Sequence, residues 1–140
     1  MASEEERREV KALVQQGLGI AQDMKALSHL IRSYPGLAWL KRYDESNGRY
    51  VMVELSEQYV LQILGGRRED YIGQDDFAVW DYETAKSFFE NDEATRTGRR
   101  NPTQEVIEPW DSSRTGQRGT FKGRKWAFSV QGTIYVAGMG

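Results

Sequence analysis

The 140 residues contain one histidine, His29, and no cysteine. Most nucleophile and metal chemistry therefore has nowhere to start. Without a thiol there is no cysteine nucleophile, no disulfide and no thiolate metal site. A Ser-His-Asp arrangement could use only His29, which lies in a helical stretch where a solvent-facing or boundary place is expected. The carboxylates show no calcium-loop spacing. Two adjacent acid pairs, Asp75-Asp76 and Asp92-Glu93, remain as candidates for acid–base work, but on short helices such pairs are expected to be solvated or to cap helix ends. Gly65-Gly66-Arg67-Arg68 has the composition of a phosphate loop but no strand–loop–helix frame around it, so helix termination is the better reading. Binding is what remains. Trp80, Phe88, Phe89, Trp110, Trp126 and Phe128 are large enough to surround an apolar pocket with a few directed polar groups. A solid aromatic core is the competing reading.

Composition narrows the class. The length suits one globular domain, and 39% apolar residues, with 4 Trp, 7 Tyr and 5 Phe, supply a core. A net charge of −2, with Lys and Arg interspersed among carboxylates, gives no concentrated basic surface for nucleic acid. No apolar run is long enough to cross a membrane, and the acidic start lacks the order of a secretory signal. A cytoplasmic domain is the expectation.

The elements that must position these residues can be read in turn. Ser3 and Glu6 have the spacing of a capping box. From there Val10, Leu13, Gly17, Ile20, Met24, Leu27 and Ile31 step by three and four, a heptad stripe that ends before Pro35-Gly36. The stripe is either one face of a helix folded onto its own domain or the seam of a parallel dimer. Gly17 and Gly19 weaken the helix by roughly 1 kcal/mol each relative to alanine and allow its two halves to pack differently. Residues 1–33 are thus set apart from a body at 34–140. In the body, Leu37 to Arg42 and Arg49 to Leu55 read as antiparallel strands around the turn formers Asn47-Gly48. Ser56 caps a helix that Gly65-Gly66 stops. A single helical turn at 75–79 and a longer helix capped by Asp81 follow. Gln104 to Trp110, Gly119 to Val130 and Thr133 to Gly138 read as three strands, with Trp126, Phe128 and Val130 on one face. This order argues for α+β with a mainly antiparallel sheet.

Several segments carry a more specific likeness. Leu37-Ala38-Trp39-Leu40-Lys41 with Gly48 to Val53, Leu64-Gly65 with Arg68-Glu69-Asp70-Tyr71-Ile72-Gly73, and Asp76-Phe77, Trp80, Glu83-Thr84-Ala85, Phe88 and Asn91-Asp92 resemble the PAS family, in order and in spacing. So do Trp126 and Tyr135 to Gly140. The likeness spans roughly residues 34 to 140. It implies a five-stranded antiparallel sheet with several short helices on one face, preceded here by the amphipathic helix. One departure is Glu54, which stands where the family usually has Asn, so the hydrogen bond of that Asn is in doubt. The family usually continues beyond the position of Gly140, which makes an excised piece of a larger protein the expectation.

The resemblance implies a sensor or interaction domain of a signalling protein, not an enzyme. The expectation is a homodimer formed through Val10, Leu13, Ile20, Met24, Leu27 and Ile31, regulating an output module such as a histidine kinase or a cyclic-dinucleotide enzyme. Ligand contacts would come from Trp80, Phe88, Asn91, Trp110, Trp126 and Phe128. The flavin-photoadduct subgroup is excluded for want of a cysteine, and haem is disfavoured because the long helix has no histidine. A non-covalent flavin or a small aromatic metabolite would fit. Two alternatives stand beside this: a ligand-free module serving only assembly, and a small dehydratase- or isomerase-like enzyme, which would need buried acid and base groups with perturbed pKa values.

Overall fold

The computed structural model describes residues 3–140, the side chains of 9–22 excepted. Helix α1 (Glu4–Ser33) begins where the Ser3 hydroxyl accepts from the Glu6 amide, the half of the expected capping box that closes the first turn. Strands β1 (Ala38–Asp44) and β2 (Arg49–Leu55) follow. Next come α2 (Glu57–Tyr59), which runs on as a π-helical turn at Val60–Leu64, then α3 (Asp76–Val79) and α4 (Tyr82–Arg96). The chain closes with β3 (Val106–Ser112), β4 (Gln117–Val130) and β5 (Thr133–Met139). All five strands form one antiparallel sheet in the order β2-β1-β5-β4-β3. Among the described residues no helix is long and apolar enough to cross a membrane.

Local chemistry accounts for most of the boundaries. Ser56 is fully buried and ties three segments together: its hydroxyl accepts from Ala38 N and Tyr59 N and donates to Gly36 O. Gly65 ends the π turn at a φ of 72°, a left-handed backbone that glycine adopts without a Cβ penalty. Glu54 does not leave a gap where the family resemblance would place an Asn. Its carboxylate forks the Arg68 guanidinium, at 2.5 Å to Nε and 2.9 Å to Nη2, and pins the segment after the π turn to β2. Asp81 corrects the sequence reading. It stands at the start of α4, but its carboxylate accepts from the amide and hydroxyl of Ser113 and makes no cap to the helix. It ties α4 to the β3–β4 turn instead.

The sheet is covered on both faces. On the inner face, under α2 to α4, a core forms from Trp39, Met52, Leu55, Tyr59, Tyr71, Trp80, Phe88, Trp110 and Phe121. On the outer face Ala38, Leu40 and Ala137 pack with the C-terminal end of α1: Ile31 is fully buried there, and Met24, Leu27, Trp126, Phe128 and Tyr135 lie against the same cluster. Met24, Leu27 and Ile31 of the heptad stripe thus cover their own domain's sheet. Val10, Leu13 and Ile20 fall outside the described side chains.

Candidate functional site

The inner face of the sheet carries two lysines among its aromatics. Successive strand residues point to opposite faces, so Trp39 and Lys41 of β1 share the inner face, as do Phe121 and Lys125 of β4. In β3, Val106, Glu108, Trp110 and Ser112 are buried and the residues between them exposed, which sends Glu108 inward as well. Helix α4 faces the sheet with Ala85, Phe88, Asp92 and Thr95, the three- and four-residue steps of a helix face. Asp76 enters from the first turn of α3.

These five charges form one chain. Lys41 Nζ donates to Asp76 Oδ2 at 2.6 Å and to Asp92 Oδ2 at 2.9 Å. Lys125 Nζ donates to Asp92 Oδ1 at 2.8 Å and to Glu108 Oε2 at 2.7 Å. Asn91 continues it, donating to Glu108 Oε2 at 3.1 Å and accepting from Arg100 Nη2 at 2.7 Å. None of the five charged residues is more than 5% exposed, and Asp92 is at 0%. Taking such ions out of water costs several kcal/mol each, so they persist only with close partners and satisfied hydrogen bonds.

The electrostatics follow from who faces whom. Burial by itself would lower the Lys41 pKa, but Asp76 and Asp92 outweigh it and hold the ammonium above the ordinary lysine value. Burial would raise Asp92, and the two lysines outweigh that too, leaving it below the usual carboxylate value. Asp76 goes the other way: burial, reinforced by the neighbouring Asp92 carboxylate, lifts it above that value despite Lys41. Burial likewise raises the Tyr59 phenol. A lysine held protonated is no nucleophile, so Lys41 serves here as a hydrogen-bond donor to Asp76 and Asp92.

The space left over is small. Trp39, Lys41, Tyr59, Phe88, Glu108, Phe121 and Lys125 bound a void of about 10 Å³, room for a single water at most. The aromatics around it pack on one another: Phe121 lies 5.6 Å from Tyr59, 5.7 Å from Trp110 and 5.9 Å from Phe88, centroid to centroid. The Trp39 indole lies across Gly138, where a Cβ would come within 2.3 Å of the ring. The missing side chain lets the indole reach toward Lys125, whose Nζ is 5.9 Å from its centroid.

The six candidate ligand contacts do not surround one cavity. Trp80, Phe88 and Trp110 stand in the inner core, where Trp80 meets both of the others edge-on. Asn91 is half-buried beside them, held by Glu108 and Arg100. Trp126 and Phe128 lie on the opposite face with α1. Lys125, between Phe121 and Trp126, marks which parity points inward, and the apolar pair follows the other parity because that face too is covered. The acid pairs also need correction. Asp76 and Asp92 were expected to be solvated, and they are the carboxylates at the centre of the chain; their neighbours Asp75 and Glu93 have the surface roles, Asp75 capping α3 and Glu93 pairing with Arg96. The sequence signal was available in part, since Glu108 alternates with Val106 and Trp110, and Asp92 lies four residues from Phe88. His29 is exposed.

Comparison with solved structures decides the fold. The PAS domain of an HTR-like protein from Haloarcula marismortui aligns with 89% of this chain and 95% of its own, with a TM-score of 0.53 at 12% identity. This chain has the PAS fold. The chromophore-binding domain of the Stigmatella aurantiaca bacteriophytochrome matches 78% of this chain and 34% of its own, with a TM-score of 0.47 at 18% identity. No protein-family model matches the sequence, and no curated protein matches it. The PAS fold explains why α2 to α4 close over the inner sheet face. In this chain the enclosed volume is filled by aromatic rings and the ion-pair chain.

Proposed function

We propose that this chain is a regulatory PAS module of a larger signalling protein, and that it works through assembly with a second copy and an output domain, not through an interior ligand. The observation that carries this reading is the occupancy of the interior, where the five-charge chain and its aromatic neighbours leave about 10 Å³. A flavin or aromatic metabolite placed there would have to displace buried ion pairs, leaving unpaired charges. Assembly would use the N-terminal half of α1. Its C-terminal half spends Met24, Leu27 and Ile31 on its own sheet, so Val10, Leu13 and Ile20 are the stripe residues proposed to meet the partner copy. The output module (a histidine kinase or a cyclic-dinucleotide enzyme) and a cytoplasmic location belong to the same proposal.

Native mass spectrometry with an absorbance spectrum on the same fresh sample tests it. The expected result is a bare polypeptide mass with a dimer population and no absorbance beyond that of the aromatic residues. A mass excess that vanishes on denaturation would overturn the ligand-free reading. In analytical ultracentrifugation, Leu13→Asp with Ile20→Asp should convert dimer to monomer; a fully dimeric variant would remove the seam.

A further inference from the structure

The buried charges are unequally served. Asp92 receives a lysine ammonium on each oxygen, and Glu108 accepts from Lys125 and Asn91, with the half-buried Arg100 one amide further on. Asp76 accepts from Lys41 alone, on Oδ2. Its Oδ1 is buried without a hydrogen-bond partner among the described residues. Lys41 is moreover shared with Asp92. The five residues hold three carboxyl groups against two ammonium groups, and Asp76 is the carboxyl at the unserved end.

An interior with one carboxylate too many relieves the desolvation cost most cheaply by keeping a proton where donors are fewest. We propose that Asp76 is a proton switch: it keeps a proton on Oδ1 in the closed fold, and loss of that proton loosens α3 from the sheet. The proton has a path. Asp76 also lines a second void of about 10 Å³ bounded by Arg49, Tyr50, Asp75, Phe77 and Phe89, where all but Tyr50 and Asp76 are partly exposed. On ionisation the proton passes to water through this dimple, and the carboxylate left behind is drawn outward toward solvent.

The charged and titratable groups around Asp76 agree with this assignment. Lys41 of β1 favours the carboxylate but divides its charge with Asp92 of α4, which opposes it. Lys125 of β4 also favours the carboxylate, but it is engaged by Asp92 and by Glu108 of β3. Tyr59 of α2 holds its phenol proton, and Tyr50 of β2 donates to Glu93, which Arg96 also holds. Arg49 of β2 stacks its guanidinium 4.0 Å from the Phe77 ring. Asp75 accepts from Ala78 N at the start of α3. The element that would respond is small. Helix α3 is four residues, held by the bond from Trp80 N to Asp76 O and tied to β2 through the bond from Met52 N to Gln74 O.

The switch does not depend on dimerisation or on an empty interior. Carbon-detected NMR of the side-chain carboxyls in the full chain tests it, because Asp76 is followed in the unaltered protein and no variant need fold. The expected result is an Asp76 Cγ resonance that titrates clearly above 3.8, the ordinary value. Protection of the Trp80 amide, corrected for intrinsic base-catalysed exchange, should fall as pH rises from 3.8 to that midpoint and level off above it, by roughly tenfold for each pH unit that the midpoint lies above the ordinary value. In Asp76→Asn that pH-linked fall should disappear. A midpoint at or below 3.8, or Trp80 protection that does not fall between 3.8 and the Asp76 midpoint, would overturn the switch.

Discussion

Replacing Asp92 by Asn tests whether the interior charges are structural in the way their geometry indicates. The introduced amide would keep the shape and one acceptor, but its NH2 would face one of two ammonium groups now held at 2.8 and 2.9 Å. One lysine would lose a partner inside a layer where Asp92 is 0% exposed. Breaking a buried pair by removing one member costs about 3–5 kcal/mol, a large share of the roughly 5–15 kcal/mol that holds a typical domain together. With a urea slope near ~2 kcal/mol per molar, the unfolding midpoint should drop by roughly 2 M. The pH dependence supplies a second readout. Asp92 has its pKa depressed by the two lysines, so the stability it contributes is full above 3.8, the unfolded value, and is lost as pH falls through its lower folded value. That acid limb should be shallower in the variant. Lys125→Met combined with Asp92→Asn should cost less than the sum of the single changes, by on the order of 1–3 kcal/mol, because the two residues share an interaction. A cost below about 1 kcal/mol for Asp92→Asn, or a strictly additive pair, would refute the claim that these charges depend on one another.

Two further substitutions probe the outer face and the sheet. Ile31→Ala removes a fully buried side chain from the joint between α1 and the sheet and should lower stability by about 2–4 kcal/mol in denaturant titration; an unchanged midpoint would mean that this end of the helix is not docked. Gly123→Ala would put a Cβ 1.8 Å from the Met139 carbonyl oxygen, backbone that cannot turn aside, so β4 and β5 would have to separate; a loss of roughly 3 kcal/mol or more is expected, and a calorimetric melting temperature equal to the parent's would contradict that close approach.

Much of the architecture was legible in residue order. Turn formers at Asn47-Gly48, the stop at Gly65-Gly66 and the strand residues from Gln104 to Trp110 located a hairpin, a helix end and a strand, because each is settled by backbone sterics or by side-chain preference over a few residues. The heptad stripe was equally plain. What it packs against was not, since a stripe that suits a partner helix also suits a sheet, and Ile31 met its own β1 and β5. Asp81 shows the limit at short range: its position matched a cap, and Ser113, thirty-two residues on, offered two donors and took the carboxylate.

The sequence by itself determined the elements, their order and their two-sided strands. Only the tertiary structure decided which side of the sheet is the inside and what fills it. Alternation sorts residues into two sets, and where both faces are covered each set contains large apolar residues, so Trp126 and Phe128 were assigned to the wrong one. The ion-pair chain was hidden for a related reason. A buried charge is spelled like a surface charge, and what distinguishes it is a partner, here 35, 51, 33 and 17 residues away along the chain. Such pairings exist only once β1, β3 and β4 lie in one sheet and α3 and α4 close over them. Desolvation then makes the five ionisable groups depend on one another, a coupling that no local segment of the chain contains.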